Sequence, residues 1–176
     1  MEQVVLVDKD DKEIGLEEKE KAHLGEGKLH RAFSIFIFNP KKELLITKRS
    51  SQKMLWPLFW DSACASHPLK GESQEKAGER RLKEELGFTC KLKEVDRFEY
   101  HALYEDIGSE YEICSVLIGF YDRNININPD EVAEYKWVDL KWINQEISSN
   151  KDKYTPWLII AIERLKKKNY EFVEKN

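Results

Sequence analysis

Two glutamates at the start of an apolar segment are the residues of this 176-residue chain most suited to chemistry. Glu110 and Glu112 are two positions apart where a strand is predicted over residues 111–122. Because side chains alternate along a strand, both carboxylates are expected on one face. The residues that follow on that face are largely apolar: Cys114, Val116, Ile118 and Phe120. A solvated strand edge explains an isolated pair equally well, but acids on an apolar face need a cation or a shared proton.

Three of the four histidines occur beside loops or turns rather than on a regular apolar face. His23 and His30 flank the polar loop 24–29, and His67 precedes Pro68. Taken singly, each is more often a surface or capping histidine than a ligand. HExxH and zinc-finger spacings are both absent from the sequence, so local spacing alone gives weak evidence for a metal.

A helix is predicted over residues 73–86, with Ser73 as its N-cap and Gly87 just beyond its end. Arg81 and Glu85 are four positions apart on it and share a face. One interpretation is an ordinary ion pair contributing about 0.2–0.5 kcal/mol. The alternative is that Glu85 binds a hard cation while Arg81 contacts a phosphate held by that cation.

Further basic and aromatic residues could contribute to such a site, although each has an ordinary structural explanation. Lys19, Arg49 and Lys53 are cations that solvated surfaces commonly carry. The segment 56–60 is rich in aromatic residues and fits a core. With Trp157 it could also form an apolar pocket wall whose π-faces stabilise a cation.

The composition predicts one soluble domain. The length suits a single core rather than two. A net charge of −4 gives no general attraction to nucleic acid or anionic lipid. Three cysteines without a C-x-x-C motif argue against a disulfide scaffold or zinc ribbon. The chain has neither the order of a signal peptide nor an apolar stretch of membrane-spanning length, so we expect a cytoplasmic protein.

The remaining periodicities predict strands mixed with helices in a compact α/β sandwich. A turn is expected at residues 40–42, and an amphipathic helix with Pro156 near its start is expected over 155–171. We expect one domain over residues 1–176 with its core at about 29–145. The predicted strands are 3–8, 32–39, 43–48, 91–101, 111–122 and 133–138.

Taken together, these motifs resemble type I isopentenyl-diphosphate isomerase, a branch of the Nudix superfamily. The resemblance implies a Nudix fold, a mixed β-sheet between helices, with an N-terminal extension that supplies the two early histidines. It also implies metal-dependent isomerisation of isopentenyl diphosphate to dimethylallyl diphosphate, by a monomer or weak dimer. The matching segments, in order, are residues 21–39, 56–60, 66–68, 71–73, 80–87, 110–112 and 155–157.

The resemblance assigns roles to residues at matching positions. It implies Mg²⁺ bridging Glu85 to the substrate diphosphate, and a second divalent metal, Mn²⁺, Zn²⁺ or Mg²⁺, in a histidine–glutamate site. The implied ligands of that second metal are His23, His30, His67, Glu110 and Glu112. The implied contacts of the diphosphate are Lys19, Arg49, Lys53 and Arg81. The implied catalytic residues are Glu112, Tyr100 and Trp157, with a cysteine at the position of Ala65.

Ala65 is the one departure from the family pattern, because a methyl group cannot transfer a proton. Cys64 is adjacent, but in an extended segment its side chain is expected to face the opposite way. Three interpretations follow: an isomerase that uses Cys64, water or another group, an engineered substitution in an ordinary isomerase, or a Nudix diphosphatase. A naturally impaired homologue and a catalytically silent binding protein are further alternatives, although the retained metal ligands make the silent protein less attractive. The paired Glu84 and Glu85 favour the diphosphatase, whereas the adjacent Arg80 and Arg81 are the isomerase pattern.

Overall fold

The computed structural model describes residues 2–168 of the chain. The strands are β1 Gln3–Val7, β2 Glu13–Glu18, β3 His30–Phe38, β4 Leu44–Arg49, β5 Trp60–Asp61, β6 Cys64–Ser66, β7 Lys93–Tyr104, β8 Gly108–Phe120 and β9 Val132–Val138. The helices are α1 Lys19–His23, α2 Gln74–Leu86, α3 Leu140–Ser149 and α4 Pro156–Lys167, and Lys151–Lys153 forms one 3₁₀ turn.

Strand β3 is the centre of a mixed sheet that holds the nine strands of residues 2–168. It runs parallel to β8, with His30 opposite Glu112, and antiparallel to β6, with Ser34 opposite Ala65. On the far side of β8 lies β7, antiparallel, with Tyr100 opposite Glu112. This register brings the starts of β3 and β8 and the ends of β6 and β7 together at one end of the sheet.

Helices cover both faces of the sheet, because alternate residues of its strands are apolar in both directions. Phe36 of β3 packs in a cluster with α3 and α4, which includes Trp157. Its neighbour Ile35 packs in a second cluster with α2, which includes Leu82. The α/β sandwich predicted from the sequence is confirmed. None of the helices in residues 2–168 has the length and apolar character needed to span a bilayer.

The predicted helix at 73–86 is confirmed with both of its ends. The Ser73 side chain accepts a hydrogen bond from the Lys76 backbone N–H, and Gly87 adopts a left-handed φ of 74°. Gly78 is inside the helix because α2 lies close to the sheet there. A Cβ at Gly78 would be 2.5 Å from Leu92 Cδ1 and 2.9 Å from Leu117 Cδ1.

The predicted strands and the turn at 40–42 are also present, with ends displaced by a few residues. The C-terminal helix is confirmed as far as Lys167, and the predicted residues 169–171 lie outside the described part of the chain. The sequence analysis missed α3, although Asp139 caps it and Ile143 and Ile147 are its buried face. It also missed the strand β2 and the short elements α1, β5 and β6, which lack a periodic pattern of their own.

Candidate active site and metal centre

Five side chains from four elements meet at the shared end of β3, β6, β7 and β8. Each offers one ligand atom, and these atoms all lie within 4.8 Å of one another. All five side chains are buried, which is costly for carboxylates and imidazoles without a common partner. The five are His23 at the end of α1, His30 at the start of β3, His67 just after β6, and Glu110 and Glu112 on β8.

Backbone carbonyls orient two of the imidazoles. His23 Nδ1 lies 2.6 Å from the Lys19 carbonyl oxygen, and His30 Nδ1 lies 2.7 Å from the Lys28 carbonyl oxygen. Because a carbonyl only accepts, Nδ1 carries the proton in both rings, and Nε2 of each neutral ring keeps its lone pair. Outer hydrogen bonds of this kind are the usual support of metal-binding histidines.

The inner atoms of the cluster lie close together, and several of them have no hydrogen-bond partner. His23 Nε2 lies 2.8 Å from Glu110 Oε2, and His30 Nε2 lies 3.4 Å from Glu112 Oε1. Yet His30 Nε2 and Glu110 Oε2 have no hydrogen-bond partner in the described structure, and neither has Nδ1 of His67. Convergent unpaired lone pairs fit a divalent cation, and three nitrogens with carboxylate oxygens suit Zn²⁺ or Mn²⁺.

Burial and neighbouring charges shift the pKa values of two of the histidines in opposite directions. Burial lowers the pKa of His23, but the Glu110 carboxylate outweighs it and raises that pKa to about 9. At His67, burial together with His30 and His23 holds the pKa well below its usual value. The cluster therefore holds a proton at neutral pH that a divalent cation would displace.

Glu112 links the cluster to a buried tyrosine. Its Oε1 lies 3.1 Å from His67 Nε2, while its Oε2 accepts a 2.6 Å hydrogen bond from Tyr100 Oη–H. Burial, and then the charges of Glu112 and Glu110, raise the pKa of Tyr100 well above its usual value. Burial raises the pKa of Glu112, but its contacts with His30, Glu110 and Tyr100 outweigh this and lower it. The phenol thus remains a proton donor beside a carboxylate.

A pocket of about 410 Å³ opens onto this pair. Its lining includes Tyr100 and Glu112, the aromatic ring of Trp157 and the side chain of Leu55. Trp56 meets Trp157 edge to face, with centroids 5.2 Å apart at 87°. The pocket therefore joins an aromatic and apolar wall to the polar cluster.

Three of the four predicted diphosphate contacts line the same pocket: Lys19, Arg49 and Lys53. Lys19 donates a 3.0 Å hydrogen bond to Glu2, and Lys53 forms an ion pair with Glu131. Both of these acids also line the pocket, and the sequence analysis missed both. Their signal is weak, because each is one glutamate among many on polar segments.

Arg81 and Glu85 lie on α2, outside the residues that line the pocket. Arg81 Nη2 donates to Glu85 Oε1 at 2.6 Å and to Glu131 Oε1 at 3.1 Å. The thiol of Cys64 also donates to Glu85 Oε1, at 3.2 Å. The ordinary ion pair considered from the sequence is therefore present, and Glu131 connects Arg81 to the pocket.

Ala65 and Cys64 face opposite layers of the fold, as predicted. Ala65 lines the pocket and packs against the cluster that contains α4. Cys64 packs in the other cluster, against α2, and is only 2% exposed. Burial, and then the nearby Glu85 charge, raise the pKa of the Cys64 thiol well above its usual value. Cys64 therefore cannot place its sulfur at the position of the Ala65 methyl group without rearrangement of β6.

Comparisons with known proteins identify the family to which this chain belongs. The NUDIX domain family matches residues 28–158. The chain is 46% identical over 154 residues to isopentenyl-diphosphate Delta-isomerase 2 of Photorhabdus laumondii, covering 88% of this chain and 86% of the relative. It is 38% identical over 169 residues to isopentenyl-diphosphate Delta-isomerase of Haloarcula marismortui, covering 93% of this chain and 90% of the relative.

Solved structures support the fold alone. A crystal structure of a Deinococcus radiodurans protein superposes with a TM-score of 0.76 at 20% identity, covering 93% of this chain and 98% of that one. The MutT protein of Methanosarcina mazei superposes with a TM-score of 0.68 at 20% identity, covering 81% and 96%. With the domain match and the extent of the sequence identity, the chain belongs to the isopentenyl-diphosphate Delta-isomerase family of NUDIX-domain proteins.

Proposed function

We propose that this protein converts isopentenyl diphosphate to dimethylallyl diphosphate, the reaction that the names of its relatives imply. The observation that carries the proposal is the buried Tyr100–Glu112 pair, at 2.6 Å, beside a pocket. Proton donor, carboxylate, aromatic wall and cations are within one cavity. Each has a use in this reaction.

The reaction moves a double bond by adding one proton and removing another. A proton added to the terminal CH₂ carbon makes it a methyl group and leaves a tertiary cation at the neighbouring carbon. Loss of a proton from the CH₂ on the other side of that carbon forms the new double bond. The site must therefore handle protons at two places and tolerate a transient positive charge.

Tyr100 and Glu112 supply the proton-handling group at one of these places. The phenol donates to Glu112 Oε2, so a proton can move between the two oxygens along an existing hydrogen bond. The other carboxylate oxygen, Oε1, faces His67 and His30. The contacts of Oε1 with the two histidines hold the carboxylate in place, while Oε2 exchanges a proton with Tyr100.

Trp157 supplies the surface for the positive charge. Its ring lines the pocket and is 2% exposed, and Tyr100 lies 6.1 Å away between ring centroids. The negative face of an indole attracts a cation most strongly where water is excluded. A carbocation held against these rings would be stabilised and protected from capture by water.

The diphosphate is assigned to Lys19, Arg49 and Lys53, with Arg81 reached through Glu131. Three of the five N–H groups of Arg49 are used within the protein, on Asp61, Leu55 and Trp56, which leaves two for phosphate oxygens. Lys19 and Lys53 would exchange their carboxylate partners for the substrate. Without substrate, Lys19 and Lys53 are therefore paired with Glu2 and Glu131, and the diphosphate would take the place of these carboxylates.

We propose that two divalent cations take part in this reaction. The one in the histidine–glutamate cluster would be held by His23, His30, His67, Glu110 and Glu112, and is Mn²⁺, Zn²⁺ or Mg²⁺. Mg²⁺ on the diphosphate would be held by Glu85, whose contacts with Arg81 and Cys64 all reach Oε1. Such ions supply Lewis acidity and neutralise negative charge when bound. The protein itself contributes the orientation of the ligands described above.

The proposal is tested by the phosphorus products. Purified protein with Mg²⁺ and Mn²⁺ is incubated with isopentenyl diphosphate and followed by ³¹P NMR and product chromatography. Isomerisation leaves both phosphates attached and forms dimethylallyl diphosphate, whereas a diphosphatase releases isopentenyl monophosphate and orthophosphate. Glu112→Gln is the matched control, because it keeps the shape and should abolish isomerisation while circular dichroism stays unchanged. Release of phosphate without isomerisation would contradict the proposal.

We further propose that the protein acts as a monomer or weak dimer in the cytoplasm, without a nucleic-acid partner. The net charge of −4 supports the last point, because it provides no general attraction to a polyanion. Sedimentation of the purified protein would test the assembly state.

A further inference from the structure

Asp61 is a buried carboxylate, 2% exposed, that receives four hydrogen bonds at the end of β5. Its Oδ1 accepts from the Ser62 backbone N–H at 2.7 Å, from Thr155 Oγ1–H at 3.2 Å and from Trp157 Nε1–H at 2.8 Å. Its Oδ2 accepts from Arg49 Nη1 at 3.2 Å. Burial raises the pKa of Asp61, against the charge of Arg49, yet all four neighbours donate and therefore favour the carboxylate form.

Two of these partners line the pocket, but Asp61 does not. Trp157 is the aromatic surface assigned to the positive charge, and Arg49 is one of the cations assigned to the diphosphate. Arg49 also lies over the Trp157 ring, with its guanidinium carbon 5.2 Å from the centroid. One carboxylate therefore fixes two functional side chains that serve opposite ends of the substrate.

Arg49 extends this arrangement to the aromatic segment. Its Nη2 donates to the Leu55 carbonyl at 2.9 Å and its Nε to the Trp56 carbonyl at 3.0 Å. Trp56 has a positive φ of 47°, a backbone conformation that needs support from its surroundings. Its ring in turn packs edge to face on Trp157. Asp61 therefore holds Trp157 directly and Trp56 through Arg49.

We propose that Asp61 is a positioning residue that holds Trp157 and Arg49 in one geometry, so that the aromatic surface and the diphosphate cation are aligned on a single substrate. The inference rests on the proposed function and adds a residue to it. Charge-assisted hydrogen bonds in a water-excluded site are short and directional. Donation of the indole N–H to a carboxylate also increases the electron density of the ring, which strengthens its attraction for a cation.

Asp61→Asn is the variant that tests the role, because it keeps the size and removes the charge. Asparagine keeps one uncharged acceptor oxygen and presents N–H donors at the other position, so the charge is lost and at least one partner must turn away. We expect kcat to fall about 10- to 100-fold, the effect of losing one charge-assisted hydrogen bond. KM for isopentenyl diphosphate should rise as well, because Arg49 loses its anchor.

A purely structural role would act through Thr155, whose hydroxyl ties the start of α4 to the same carboxylate. Thr155→Val keeps the shape of that buried side chain and removes only this bond. Under the proposal it leaves kcat and KM nearly unchanged. If Thr155→Val reproduces the loss of kcat seen in Asp61→Asn, then Asp61 merely anchors the helix and the proposal is wrong.

A spectroscopic measurement decides the geometry without any catalysis. In protein labelled with ¹⁵N-tryptophan, Trp157→Phe identifies the Trp157 indole N–H resonance. Asp61→Asn should shift that proton upfield, and Thr155→Val should leave it in place. If Asp61→Asn does not fold, Asp61→Ser replaces it and should give a shift in the same direction. An unmoved indole resonance in a folded Asp61 variant would overturn the proposal.

Binding of inorganic pyrophosphate completes the test and separates it from the proposed function. Asp61→Asn should weaken pyrophosphate binding about tenfold, whereas Thr155→Val should not. If wild-type protein binds pyrophosphate but does not isomerise, and Asp61→Asn still shifts the indole resonance and weakens pyrophosphate binding, the proposed function fails and the positioning role remains. Equal pyrophosphate binding by wild type and Asp61→Asn would remove Arg49 from the proposal.

Discussion

Replacing Ala65 by cysteine should increase isomerisation strongly. Ala65 lies opposite Ser34 on the strand next to β3, and its methyl group is on the pocket side of β6. A thiol there adds one sulfur at a cavity of about 410 Å³. The added atom therefore meets open space rather than packed core, and its cost in folding free energy should be small.

The magnitude follows from what a positioned proton donor contributes. General acid–base groups accelerate reactions by about 10² to 10⁴, which corresponds to about 2.7–5.4 kcal/mol of activation free energy. We expect kcat of Ala65→Cys to exceed that of the wild type by a factor in this range. The gain should depend on pH, since a thiol near its ordinary pKa of about 8.5 changes charge within the assay range.

The assay measures initial rates of dimethylallyl diphosphate formation from isopentenyl diphosphate under saturating metal. Ala65→Ser is the matched control, because its hydroxyl has nearly the same size and is a far weaker acid. Cys64→Ser is the second control and should not change the rate, since Cys64 faces α2. A folded Ala65→Cys protein without any gain, or a wild type inactivated by Cys64→Ser, would refute this reasoning.

Three further outcomes are expected. His30→Ala should weaken Mn²⁺ binding by about 10- to 100-fold in a calorimetric titration, because it removes one ligand of the cluster. His101 lies outside the cluster, so His101→Ala is the control and should bind Mn²⁺ like the wild type. Equal Mn²⁺ affinities of His30→Ala and the wild type would show that His30 is not a metal ligand. Gly78→Ala should lower the free energy of unfolding by up to about 2 kcal/mol, because overpacking against Leu92 and Leu117 outweighs the helix propensity gained; a higher melting temperature would show that the helix can move away. Burial raises the pKa of Asp96, but Arg164 and Lys168 outweigh it and lower that pKa to about 2 from 3.8, so the stabilisation is complete above about pH 4 and is lost as the pH falls toward 2. Asp96→Asn should therefore be less stable than the wild type at pH 7 and equal to it near pH 2, as measured by denaturant unfolding, and a difference that persists at pH 2 would contradict this assignment.

The elements with their own periodicity were predictable from the sequence. The E-x-E pair on β8 placed Glu110 and Glu112 on one face because strands alternate, and the capping residues fixed both ends of α2. The facing direction of Cys64 followed from the same alternation. These predictions need only neighbouring residues.

The convergence of the site was not predictable from local pattern. His23, His30 and His67 come from different elements: the parallel pairing of β3 with β8 places His30 beside the glutamates, the pairing of β6 with β3 brings His67, and the packing of α1 on β8 brings His23. The family resemblance, rather than spacing, identified them as a set. Asp61 and Trp157 are 96 positions apart in the chain, so nothing near either residue indicates that they are bonded. Contacts of this kind depend on how α4 packs against the sheet.

The most direct test of the central claim is the position of deuterium in the product. Purified protein with Mg²⁺ and Mn²⁺ converts isopentenyl diphosphate in D₂O, and the product is examined by ²H NMR and mass spectrometry. The account predicts dimethylallyl diphosphate with solvent deuterium in a terminal methyl group, and no label above background with Glu112→Gln. Product without solvent deuterium, or equal labelling by Glu112→Gln, would contradict it.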